Sequence, residues 1–130
     1  MIRLALSLPC PINRRFVPIL VMKGGRKIAI QSLSKEYRQK QQTLVDEVWR
    51  QLGGKPQPMT RAVQISYTMT PRSKITADCD AYEKALLDGL QKAGVYLDDK
   101  QVVQVSKERL PLAVFPGSLA VTITELPENA

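Results

Sequence analysis

Apolar residues at Ile2, Leu4, Leu6 and Leu8 alternate with Arg3, Ala5 and Ser7, the period-2 pattern of a strand buried on one face. Pro9 and Pro11 end it. Residues 12–25 read as a basic loop, and a second short strand is predicted over Arg26–Gln31 with Ile28 and Ile30 on its inner face. The period then becomes helical. Tyr37, Leu44, Val45, Val48, Trp49 and Leu52 make one apolar face of a helix capped by Ser32 or Ser34 and ended by Gly53-Gly54. Glu36–Lys40 and Asp46–Arg50 are i,i+4 ion pairs on its exposed side. Residues 61–69 return to strict alternation, with Val63, Ile65, Tyr67 and Met69 inward, and residues 71–77 leave that strand as a loop. A second helix begins at Asp80, whose spacing to Glu83 has the capping-box form. Its buried stripe is Tyr82, Leu86, Leu90 and Ala93, and Gly94 follows as the left-handed terminator. Two strands close the chain: residues 101–107, lined by Val103 and Val105, and residues 118–124, lined by Leu119, Val121 and Ile123.

The element order β(β)αβαββ predicts an α+β fold over residues 1–130: a single domain, a small mixed β-sheet with two main helices packed on one face. A chain of 130 residues with 44% hydrophobic content buries a core without disulfides. Cys10 and Cys79 have no zinc-ligand spacing. Histidine is absent, which excludes Ser/His and Cys/His catalysis and His-ligated metals. No apolar run approaches a membrane span, and the apolar start is too short for a secretory signal. A cytoplasmic protein without a membrane partner is expected.

Charge sharpens this picture. Residues 1–77 hold 14 Lys and Arg against 3 Asp and Glu, while residues 78–130 hold 5 against 9. A basic half of net +11 is the footprint of phosphate binding. Arg14, Arg15, Lys23, Arg26, Lys27, Arg72 and Lys74 are the candidate contacts to a nucleic-acid backbone. Yet five of the six aspartates fall between Asp78 and Asp99. Like charges gathered in this way call for a cation or a firm set of partners. Asp78 and Asp80 are two apart at a strand-to-helix junction, so their carboxylates point the same way. Hard oxygen ligands suit a divalent ion such as Mg²⁺. Lys84 lies one turn after Asp80, opposite the buried stripe, where an ammonium can meet a phosphate oxygen. Asp98 and Asp99 sit in the turn after the helix. Spacing alone leaves open whether one of them reaches Asp78 and Asp80.

Residues 78–103 resemble the core of the RusA family of Holliday junction resolvases. The matching positions are Asp78, Asp80, Lys84, Lys92-Ala93-Gly94, and Asp98-Asp99 followed by Gln101-Val102. The likeness continues at Leu119–Glu125 and at Leu8-Pro9-Cys10-Pro11. Ala81 stands where the family pattern has Asn, and Cys10 where it has an aromatic residue. The resemblance implies a homodimeric endonuclease that uses Mg²⁺, with Mn²⁺ as a substitute, to cut four-way junction DNA in recombination and repair. It implies that Asp78, Asp80 and Asp99 are the metal-binding carboxylates, that Lys84 is the catalytic lysine, and that the source is a bacterium or a phage. The alternative is a non-catalytic protein that binds branched DNA on the same scaffold.

Overall fold

The computed structural model describes residues 1–74 and 78–128. Residues 75–77, the end of the expected loop 71–77, lie outside the described residues.

Among the described residues, six strands and two helices follow in the order β1 (Ile2–Leu6), β2 (Phe16–Lys23), β3 (Arg26–Leu33), α1 (Lys35–Leu52), β4 (Val63–Thr70), α2 (Asp80–Lys92), β5 (Val102–Arg109) and β6 (Ser118–Glu125). Short 3₁₀ turns occupy Ile12–Arg14 and Asp99–Gln101. Four strands make one mixed sheet in the order β1-β6-β4-β5. The β1/β6 and β6/β4 pairs are antiparallel, and β4/β5 is parallel. A parallel pair requires a crossover, and α2 supplies it. The α+β reading holds, with two sheets in place of one.

The alternation read from the sequence sets the core. Leu4, Leu6, Val63, Ile65, Tyr67, Met69, Leu119, Val121 and Ile123 point from the four strands to one face. They pack with Leu44, Val45 and Val48 of α1 and Leu86 and Leu90 of α2. Both helices therefore cover that face, and Gln64, Ser66, Thr122 and Thr124 line the open one. Gln41 and Trp49 fix α2 against α1, donating to the carbonyls of Ala85 and Ala93 at 2.8 Å each. Gly89 lets the helices approach: a Cβ there would lie 2.7 Å from Leu44 Cδ1. Tyr67 Oη donates to Cys79 O at 2.9 Å, which pins the start of α2 to β4.

Several expectations change. Residues 16–23 are a strand rather than loop: β2 pairs antiparallel with β3 as a hairpin separate from the main sheet. Ile28 and Ile30 are exposed and face no core. Residues 16–23 lack alternation because both faces of the hairpin are apolar, so no period marks a strand. In β5, the pairing jumps from Val63↔Val102 to Gln64↔Gln104. The extra residue, Val103, is turned out, leaving Val102 and Val105 to pack on the core. The Glu36–Lys40 pair forms at 3.1 Å, but Asp46 accepts from Gln42 Nε2 at 2.9 Å where a pair with Arg50 was expected. Among the described residues no helix is long and apolar enough to cross a membrane.

Candidate active site

Ser34 is the N-cap of α1, accepting from Tyr37 N at 3.0 Å. The expected capping box at Asp80 does not form. Cys79 holds the cap position without a side-chain bond, and Asp80 is the first helical residue. The carboxylates of Asp80 and Glu83 turn instead to Lys107 of β5, whose Nζ lies 2.5 Å and 2.8 Å from them. A single ammonium held by two acids gains more by staying charged, so the Asp80 and then the Glu83 bond raise the Lys107 pKa. Two residues on, Arg109 Nη1 stands 3.7 Å from Asp78 Oδ1. Both acids stay open to solvent, Asp78 at 93% and Asp80 at 76% side-chain exposure.

Lys107 and Arg109 were missed by sequence reasoning. The signal was present: after Val105, every second residue of β5 faces the helices, and those residues are Lys107 and Arg109. Strand order makes them matter, because the parallel β4/β5 pair runs both strands toward the start of α2.

Lys84, one turn along, places Nζ 3.2 Å from Asp88 Oδ1 and 4.0 Å from Asp99 Oδ2. Asp88, an i,i+4 partner open to Lys84 by spacing, was not among the expected site residues. It accepts from Tyr37 Oη at 2.9 Å and from Arg15 Nη2 at 3.3 Å. Burial and then the Asp88 carboxylate push the Tyr37 phenol up to about 12. Arg15, expected to contact nucleic acid, lies over the rings of Phe16 and Tyr37 and braces Asp88.

The adjacent acids after α2 have separate tasks. Asp98 caps the 3₁₀ turn, accepting from Lys100 N at 2.9 Å, and that bond lowers its pKa. Gln101 accepts from the backbone of Leu97 and Asp98 and donates to the carbonyls of Met59 and Arg61. This clamp fixes the turn and leaves the Asp99 carboxylate beside Lys84.

The structure thus brings Lys84 and Asp99 together, and separately holds Asp78 and Asp80 against β5. Among the described residues no three acidic side chains lie close enough to share one metal ion. Charge separates them: Asp78 is drawn to Arg109, Asp80 to Lys107 and Asp99 to Lys84. The donor chemistry still suits a hard cation, with carboxylate oxygens alone and two of the acids open to solvent. Of the other basic candidates, Lys23 pairs in register with Arg26 at the hairpin tip, and Lys27 follows. Arg14 lies 3.6 Å from Glu36. Arg72 and Lys74 are exposed beyond β4.

A model of the family described as endodeoxyribonuclease RusA matches residues 13–124. The chain belongs to that family. Crossover junction endodeoxyribonuclease RusA of Escherichia coli K12 is 45% identical over 49 residues, which is 38% of this chain and 40% of the relative. Proteins of the same name from Shigella sonnei and Enterobacteria phage 82 match to the same extent. The matched stretch therefore spans 40% of these relatives' own length. Within the RusA family pattern, Cys10 replaces an aromatic residue and is buried beside Tyr37 and Ala85. Ala81 is half-buried against the core and offers no polar group to the neighbouring acids.

Proposed function

We propose that this protein is a metal-dependent endonuclease that cuts four-way junction DNA, acting as a homodimer in the cytoplasm. The observation that carries this reading is a family match that runs through residues 13–124 and so includes every candidate acid. Asp78, Asp80 and Asp99 would hold Mg²⁺ or Mn²⁺. When bound, such an ion supplies a Lewis acid that lowers the pKa of water and stabilises charge on phosphorus.

The chain's own residues do the rest. The exposed Asp78 and Asp80 carboxylates sit at the positive end of the α2 dipole, where anionic groups are favoured. Lys107 and Arg109 neutralise them in the free protein and are positioned to take phosphate oxygens once an ion replaces them. Lys84, steadied by Asp88 and Asp99, presents an ammonium to the charge that develops on the phosphodiester. Lys23, Arg26, Lys27, Arg72 and Lys74 bind the DNA backbone. Affinity that rests on phosphate contacts falls steeply with salt and reads little sequence.

Two nicks related by two-fold symmetry call for a two-fold dimer. The β2–β3 hairpin supports one. Its apolar side chains, with Leu20 at 70% and Met22 at 66% exposure, lie outside the monomer core. A two-stranded hairpin is marginal by itself in water, so a second copy is the partner that stabilises it.

One observation favours the non-catalytic reading: Lys107 and Arg109 neutralise two of the three acids internally. A labelled synthetic junction incubated with protein and Mg²⁺, beside a linear duplex, decides between them. Paired nicked products support the nuclease; a shifted band that never yields nicks supports the binder. Asp80→Asn should keep junction binding, lower cleavage by roughly 10²-fold or more, and abolish the rise in melting midpoint that Mg²⁺ or Mn²⁺ gives the parent protein. Full Mg²⁺-dependent cutting by Asp80→Asn would remove the metal assignment.

A further inference from the structure

A cleft of about 540 Å³ opens between the segment after β1, α1 and the connection that leads into β6, and of its lining residues only Arg72 has a role above. Its volume suits a small ligand. Arg14, Lys40 of α1 and Arg72 line it from three different parts of the chain. Arg14 and Lys40 share a single carboxylate, Glu36, at 3.6 Å and 3.1 Å. The cleft therefore keeps an excess of positive charge.

Phe115 forms its rim. The residue is 79% exposed, although the backbone on either side of it is held. Val114 N–H donates to Pro71 O at 2.8 Å, and Gly117 N–H donates to Val114 O at 2.7 Å. Gly117 has a φ of +83° and packs so closely that an added Cβ would lie 2.6 Å from Leu8 Cδ1 and 3.0 Å from Arg72 N. A large apolar ring presented to water on a fixed frame is suited to a flat apolar partner. Three cations beside it select a partner that also carries an anion.

We propose that this cleft seats one unstacked nucleotide of the DNA, its base on the Phe115 ring and its phosphate among Arg14, Lys40 and Arg72. The inference rests on the DNA-cutting reading and deepens it. It gives the protein a means to recognise bases opened at a branch point, where a continuous duplex offers none.

The test uses the full chain in EDTA, so that nothing is cut. Anisotropy of a labelled oligothymidylate reports binding, and a labelled strand of abasic deoxyribose phosphates is the control. Stacking of one base is worth roughly 5- to 150-fold in affinity by alanine substitution. Phe115→Ala should weaken oligothymidylate binding by that factor and leave abasic binding unchanged, while Phe115→Tyr stays within about twofold of the parent. Arg72→Gln should lower the slope of log affinity against log salt by about 0.7. Circular dichroism checks that each variant is folded. Oligothymidylate affinity of Phe115→Ala within twofold of the parent, in a folded protein, overturns the inference. So does equal binding of oligothymidylate and the abasic strand by the parent. Junction cleavage by the parent, measured in parallel with Mg²⁺, separates the two readings. Cleavage with a neutral Phe115→Ala removes the cleft alone; a Phe115-dependent preference without cleavage removes the nuclease and leaves the cleft.

Discussion

Removing the Asp88 carboxylate by Asp88→Ala tests whether the brace behind Lys84 exists. The Arg15 and Asp88 side chains are 24% and 21% exposed and stand 3.3 Å apart. At that distance the gross attraction is about 5 kcal/mol in an effective dielectric of about 20. Much of it is offset by desolvation of both ions, and the buried Arg15 Nε has no hydrogen-bond partner among the described residues. Fully exposed pairs are worth about 0–1 kcal/mol, and loss of one member of a buried pair costs about 3–5 kcal/mol. Asp88 lies between these limits and also leaves Tyr37 Oη without its acceptor. The expected loss is therefore about 2–3 kcal/mol for Asp88→Ala, with about 1–2 kcal/mol of coupling to Arg15→Ala in a double-mutant cycle. With a urea m-value of about 2 kcal/mol/M, the midpoint should fall by about 1–1.5 M. Melts should be run at one protein concentration, because a dimer's midpoint depends on it. A coupling below about 0.5 kcal/mol would refute the brace. Released from Asp88, Lys84 should also support slower junction cleavage.

Other outcomes follow from the same contacts. Gly89→Ala should destabilise by about 1 kcal/mol in chemical melts, because the clash with buried Leu44 outweighs the helix-propensity gain of about 1 kcal/mol. Leu20→Lys with Met22→Lys should convert a dimer to a folded monomer in light scattering; an unchanged mass would dismiss the hairpin as the interface. Stability should be full below pH 10 and fall between about pH 10 and pH 12, read by urea melts across that range. Burial holds the Tyr37 and Tyr67 phenols up to about 12, against 10.0 in a free side chain. Above pH 10 the unfolded chain therefore releases protons that the folded chain keeps, which favours unfolding by about 1.4 kcal/mol per pKa unit for each tyrosine.

Much of this was legible in the residues. The faces of β1, β4, β6, α1 and α2 follow from periodicity because each packs one side on a core, and Gly94 ends α2 as its position suggested. The β2 strand was not legible, since a segment apolar on both sides shows no period. The outward turn of Val103 was hidden as well, because a bulge shifts register without altering composition.

Residue patterns along the chain carry every element except β2, the separation of a basic half from an acidic one, and the set of acids that can serve a hard cation. Those depend on side-chain type and spacing within one segment. Which charges meet is set by packing. The parallel pairing of β4 with β5 carries Lys107 and Arg109 to Asp80 and Asp78, and the packing of α1 on α2 sets Tyr37 and Arg15 against Asp88. Such contacts join residues far apart along the chain, so no local pattern encodes them.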